Sequence, residues 1–288
     1  MKINELIEKN GFISGAEFVL RNIKLDALLG MIEDISDLLD VVNLTETRKF
    51  MNFSLDPLTI AALARVSTPN IEAIPHFTAR ENTRAAFFRA LCTMKELEIN
   101  NMLLCSGDKY IDDKSKNVYD FNGPISPTLE MIKFATEMNN GRLYNKNLGY
   151  KTDFCIGVVA NPCSTNYDLE IQKTKRKIEL GAHFIQTQPI FDIKVIKKFM
   201  FQLEKEGIDV PVLAGVLPLD SYESAFKIEK GNPGIIVPYE IKLRIKENDC
   251  LDEGIEIAKD IAKELKNYVQ GIHVYSLNNI EKIRRVLQ

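Results

Sequence analysis

Short apolar runs alternate along the chain with stretches whose apolar residues recur every three or four positions. Eight runs have strand character, at 12–20, 41–45, 72–78, 101–105, 154–160, 183–188, 210–217 and 272–277. Sequence with helical spacing follows each of them. In 25–39 the apolar positions are Leu25, Leu28, Leu29, Ile32, Ile35, Leu38 and Leu39, one face of a 3.6-residue repeat. Further helices are predicted at 57–66, 83–97, 126–138, 169–180, 193–206, 221–229, 252–268 and 280–287. The strand runs are apolar without clean alternation, as expected when both faces of a sheet are covered.

Strands that alternate with helices imply a parallel sheet, because each helix carries the chain back to the same end. Eight such units in 288 residues match a single (β/α)8 TIM barrel, an α/β fold occupying 1–288 as one domain. An open doubly wound sheet is the alternative. It would favour a glycine-rich GxGxxG turn after the first strand, and none is present there. Two connections are long for a barrel, 109–124 and 139–152, and long loops often carry function.

Composition narrows the class. A net charge of −3 gives no basic footprint for nucleic acid. No apolar run approaches the roughly 20 residues of a membrane span. The start, Met1 to Lys9, mixes charged with apolar residues and has no signal-peptide core, so the expected location is cytoplasmic. The five cysteines form no CxxC pair and have no metal spacing, which points to reduced thiols. Cys105 and Cys155 lie in apolar runs and read as small buried hydrophobes.

In such a barrel the active site lies at the C-terminal ends of the strands. The polar residues there are Glu17, Thr45 and Glu46, then His76, Thr78 and Arg80, then Ser106, Gly107 and Asp108. Asn161, the run Gln186-Thr187-Gln188, Tyr222, and His273, Tyr275 and Asn278 complete the rim. Glu17 sits in an apolar strand. Burial would raise its pKa and suit a general acid, or it is a carboxylate salt-bridged at the barrel base. Asp108 after Gly107 is a site residue or a turn cap. His76 is a ligand contact or a satisfied core histidine. Gln188 offers an amide that donates and accepts, or it anchors a loop. Arg176 and Lys177 read as near the start of their helix, placed for a diphosphate, or as part of a solvated face. Phe191, Tyr222 and Tyr275 stack on a flat ring or pack the core.

Taken together, these segments resemble the methylenetetrahydrofolate reductases. The similarity runs through Pro75-His76-Phe77-Thr78, Arg80-Glu81-Asn82-Thr83-Arg84, Ser106-Gly107-Asp108, Lys175-Arg176-Lys177, Thr187-Gln188-Pro189-Ile190-Phe191-Asp192, Ala214-Gly215-Val216-Leu217-Pro218 and His273-Val274-Tyr275-Ser276-Leu277-Asn278. It spans nearly the whole chain in order, and it is nearest the short bacterial form of anaerobes and acetogens. The resemblance implies a flavin-binding barrel of one-carbon metabolism, serving methionine biosynthesis. It implies FAD as cofactor, and NAD(P)H or a partner protein as electron donor. The reaction would convert 5,10-methylenetetrahydrofolate to 5-methyltetrahydrofolate by hydride transfer.

By position, the resemblance makes Glu17 and Asp108 catalytic. It assigns Thr45, His76, Gly107, Asp108, Asn161, Arg176 and Lys177 to the cofactor, and Gln188 and Tyr222 to the folate substrate. It departs from the family at Leu20-Arg21-Asn22, where a Pro-Pro is usual, and at Ser106, Asn161, Thr165 and Asn279. The sequence leaves open a homo-oligomer and an electron-transfer partner subunit. Two other readings also stay open: a pterin-binding methyltransferase barrel, and a non-catalytic subunit of a one-carbon complex.

Overall fold

The computed structural model describes residues 1–46, 53–80, 82–107, 126–232, 234–248 and 251–288. The elements run α1 (Ile3–Asn10), β1 (Ile13–Val19), α2 (Leu25–Glu33), β2 (Val41–Thr45), α3 (Pro57–Ser67), β3 (Glu72–Thr78), α4 (Arg84–Glu96), β4 (Asn101–Cys105) and α5 (Pro127–Asn139). Then follow β5 (Arg142–Leu143), β6 (Lys146–Asn147), β7 (Cys155–Ala160), α6 (Tyr167–Glu179), β8 (Phe184–Pro189), α7 (Ile193–Lys205), β9 (Val212–Val216) and α8 (Tyr222–Gly231). The chain ends with α9 (Tyr239–Asn248), α10 (Leu251–Leu265), β10 (Gly271–Tyr275) and α11 (Ile280–Leu287).

β1 to β4 and β7 to β10 close into one barrel in chain order, and every pairing within it is parallel. The expected (β/α)8 architecture is therefore the one found. Four elements were not foreseen. The 139–152 connection holds the β5–β6 hairpin, α9 adds a helix between α8 and α10, and α1 precedes the first strand. The first predicted helix also ends earlier than expected, at Glu33 rather than 39. The 109–124 connection lies outside the described residues.

Side chains alternate between the two faces of a strand. One set, including Phe18, Leu44, Phe77, Leu104, Ile156 and Val274, packs outward on the helices as the main core. The other set starts at the N-terminal floor. There Ile13, Val41, Ile74, Leu103, Cys155, Phe184 and Leu213 form a separate cluster with Ile3 and Leu6 of α1. α1 thus plugs the bottom of the barrel. Asn101 fastens it, accepting from the Ile3 amide at 3.0 Å and donating to the Met1 carbonyl at 2.8 Å.

Glycine makes room where a neighbouring strand carries a large ring. A Cβ at Gly157 would lie 2.2 Å from the Phe184 ring, and one at Gly215 would lie 2.7 Å from the Tyr275 ring. Large and small residues therefore interlock across strands, and the interior is packed rather than porous.

Candidate functional site

Counting in twos from the floor places Glu17, Asn43, Thr45, His76, Thr78, Gly157, His273 and Tyr275 on the inner wall. Glu17 stands on β1 near its C-terminal end, in register with Asn43 on β2 and Tyr275 on β10. It is half-buried, as is Thr45 at the end of β2. So the acid at position 17 faces the barrel axis at the upper end, away from the apolar floor.

His76 on β3 is buried. Burial first, and then the neighbouring His273, push its pKa down to about 3. Burial likewise lowers His273 to about 4, opposed in part by its bond to the Thr187 carbonyl. Both rings are therefore neutral at physiological pH. Gly107, just past β4, has φ +74°, and a Cβ there would meet Thr78 at 3.0 Å and Arg80 at 3.3 Å. Only glycine accepts both the left-handed backbone and this contact without strain. Asp108 lies outside the described residues.

Glu46 ties two loops together. Its carboxylate accepts from the Thr78 amide at 2.9 Å, from the Thr78 hydroxyl, and from Asn82 Nδ2 at 3.2 Å. The end of β2 is thereby locked to the end of β3.

The expectation that Arg176 and Lys177 begin a helix is not met. Asn166 caps α6 by accepting from the Leu169 amide, so the helix starts at Tyr167 and both residues fall in its last turn. Their fates differ. Arg176 is exposed and pairs with Glu179 at 3.2 Å, and it does not join the site. Lys177 leans back toward the helix start, as helical side chains do. Its ammonium reaches the Val159 carbonyl at 2.6 Å near the upper end of β7. Burial lowers its pKa, and Glu170 works in the opposite direction.

Asn161 turns into its own loop. Its Oδ1 accepts from the Cys163 amide at 3.1 Å, and its backbone amide donates to Glu170 at 2.9 Å. Gly234 packs so closely on its Nδ2 that a Cβ there would sit 1.8 Å away. Gln188 is half-buried within the irregularity of the β8–β9 register between Gln186 and Pro189. Tyr222 opens α8, edge-on to Phe226 at 5.0 Å between ring centroids, with Lys246 over its face. Phe191 belongs to the core. Among the expected apolar thiols, Cys155 is buried and Cys105 only half-buried.

Asn43 was missed as a site residue. It is fully buried, and its Oδ1 accepts from Gln186 Nε2 at 2.8 Å and lies 3.2 Å from His76 Nε2. The available signal was a lone amide between Val42 and Leu44.

The family model described as methylenetetrahydrofolate reductase matches residues 42–288. A probable methylenetetrahydrofolate reductase (NADPH) from Caenorhabditis elegans is 23% identical over 226 residues, covering 76% of this chain and 32% of that protein. The chain thus spans about a third of that relative's length. The 5,10-methylenetetrahydrofolate reductase of Salmonella typhimurium is 30% identical over 139 residues, covering 45% of this chain and 47% of that one. Among solved structures, an uncharacterized protein from Clostridium thermocellum that binds two copies of 5-methyl-5,6,7,8-tetrahydrofolic acid superposes with a TM-score of 0.66. It is 14% identical, covering 99% of this chain and 98% of that one. No described helix is long and apolar enough to cross a membrane.

Proposed function

This chain belongs to the methylenetetrahydrofolate reductase family, and from that premise we propose that it reduces 5,10-methylenetetrahydrofolate to 5-methyltetrahydrofolate using bound FAD, with Glu17 as general acid. The observation that carries this reading is the placement of Glu17 on the inner wall at the strands' C-terminal end, in register with Asn43 and Tyr275. A substrate entering the mouth meets this carboxyl group.

The residues present fit a flavin. Lys177 holds a half-buried ammonium that donates to a neutral carbonyl, and an anionic diphosphate would complement it. Thr45, His76 and Gly107 come from three consecutive strands and supply a wall for the ring system. When bound and reduced, the flavin supplies the hydride; the protein supplies positioning and electrostatics.

Glu17 delivers its proton to N10 of the folate, which opens the five-membered ring and makes the one-carbon unit electrophilic. Gln188 orients the pterin, its amide donating and accepting along the ring edge. Tyr222 offers an aromatic face at the rim. Asp108 is assigned on the resemblance alone, to bind the pterin and adjust the flavin's potential. NAD(P)H or a partner protein provides the electrons.

The test uses purified protein under anaerobic conditions. Bound flavin is reduced with NADH, NADPH or a reduced ferredoxin and reoxidised with methylenetetrahydrofolate. Glu17→Gln should keep the flavin spectrum and slow reoxidation by about 100-fold or more. A protein that takes up no flavin would instead favour the methyltransferase-type barrel. Wild-type reoxidation by Glu17→Gln would remove the acid from the mechanism.

A further inference from the structure

The reaction assigned above gives no task to His273 and Tyr275, the two inner side chains of β10. Both lean across β9 to the same atom. His273 Nε2 and the Tyr275 hydroxyl each lie 3.1 Å from the Thr187 carbonyl oxygen on β8, and their ring centroids are 4.7 Å apart. A carbonyl can only accept, so both groups donate. The strand they cross is bare at that point. Gly215 is the register partner of His273, and a Cβ there would lie 2.7 Å from the Tyr275 ring and 2.8 Å from the Thr187 oxygen.

The Thr187 carbonyl falls where β8 breaks its register with β9, between Gln186 and Pro189. The Thr187 hydroxyl bridges that break, accepting from the Gly215 amide at 3.0 Å and donating to the Gln188 carbonyl at 2.8 Å. Both peptide units that flank the Gln188 Cα are therefore tied. The one before it is held through the Thr187 carbonyl, and the one after it through the Gln188 carbonyl. Pro189 further restricts Gln188 to extended backbone. The direction in which a side chain leaves the chain follows from those two planes. Irregular strand pairings of this kind re-aim side chains beside active sites.

We propose that His273 and Tyr275 are positioning residues for Gln188: their two donors clamp the Thr187 carbonyl and so hold the Gln188 amide in the direction that meets the pterin. This rests on Gln188 being the group that orients the pterin. Gly215 supplies the space through which the two rings reach. Tyr275 is also the register partner of Glu17, so one strand pair carries both the acid and the clamp.

The full chain, held reduced so that no turnover follows, is titrated calorimetrically with 5-methyltetrahydrofolate. Gln188→Ala should weaken binding about tenfold, and Tyr275→Phe, which removes only the hydroxyl, should do so by a similar factor. In the double variant the loss should not grow, because the clamp then has nothing left to position. A group that merely stabilises the fold would act alike with and without Gln188. An equal effect of Tyr275→Phe in both backgrounds, or none in either, would overturn the clamp and leave Gln188 in its role. Wild-type affinity in Gln188→Ala would remove Gln188 from the site, and the clamp with it. Thr187→Val deletes the bridging hydroxyl and should repeat the Tyr275→Phe result, while Thr187→Ser stays near wild type. Wild-type affinity in Thr187→Val would overturn the proposal even if Tyr275→Phe does not fold.

Discussion

The two ends of the barrel interior are built on opposite terms. At the floor, nine buried side chains, all apolar apart from the Cys155 thiol, close on one another, two of them from α1. Above them the barrel strands carry Glu17, Asn43, His76, Gln186 and His273, and the last four lie against polar atoms. The strands are continuous through both zones, so the difference arises from side chains alone. The lower zone supplies stability through burial, and the upper zone costs stability in order to hold polar groups in place.

This contrast can be broken or sharpened by substitution. The largest expected effect is at the top. Glu17→Gln should lower turnover about 100- to 10,000-fold while the urea midpoint stays near wild type. A large loss of stability would make Glu17 a structural group. Next comes Phe184→Ala at the floor, expected to cost about 3–5 kcal/mol by urea unfolding, with activity per folded molecule retained. Inactivity without destabilisation would erase the division between the zones.

Acid should attack the upper zone third. His76 and His273 hold folded pKa values of about 3 and about 4, below their ordinary 6.5. The unfolded chain therefore binds protons that the folded one refuses. Their contribution is complete above pH 6.5 and is lost as the pH falls from there toward 4. His183, lowered chiefly by burial, acts in the same direction. Unfolding at pH 5 should be easier than at pH 7 by roughly 2–4 kcal/mol, and His273→Gln should flatten that dependence. A flat profile in the wild type would show that the rings are solvated.

The smallest effect is expected from Asn279. Its Oδ1 accepts from the Lys282 amide at 3.1 Å and caps α11. Asn279→Ala should cost about 1 kcal/mol in thermal unfolding and leave the reaction unchanged. A loss of activity there would extend the functional zone to this rim position.

The barrel itself was legible because β2, β3 and β4 are apolar runs bounded by polar turns, and their limits coincide with the pattern. α1 was not, because its apolar face is only Ile3, Leu6 and Ile7 among polar and charged residues, and its partners lie far away in sequence. α9 has no fully buried face over most of its length, so periodicity gave little to read. At the site, Glu17 and His76 announced themselves as polar residues in apolar strands. Asn43 carried the same signal and, like Glu17 and His76, lies two residues before the end of its strand, but Thr45 and Glu46 at the terminus drew the reading of β2. Lys177, expected near the start of its helix, lies in the last turn. Its reach depends on the direction in which a helical side chain leans, which residue spacing does not encode.

The contact between Gly157 and the Phe184 ring has an evolutionary meaning. With 2.2 Å available to any added carbon, neither position is free to drift by itself. Among descendants of this chain, an alanine at 157 is expected to travel with a smaller residue at 184. The two sites, 27 positions apart in the sequence, should be inherited as a pair.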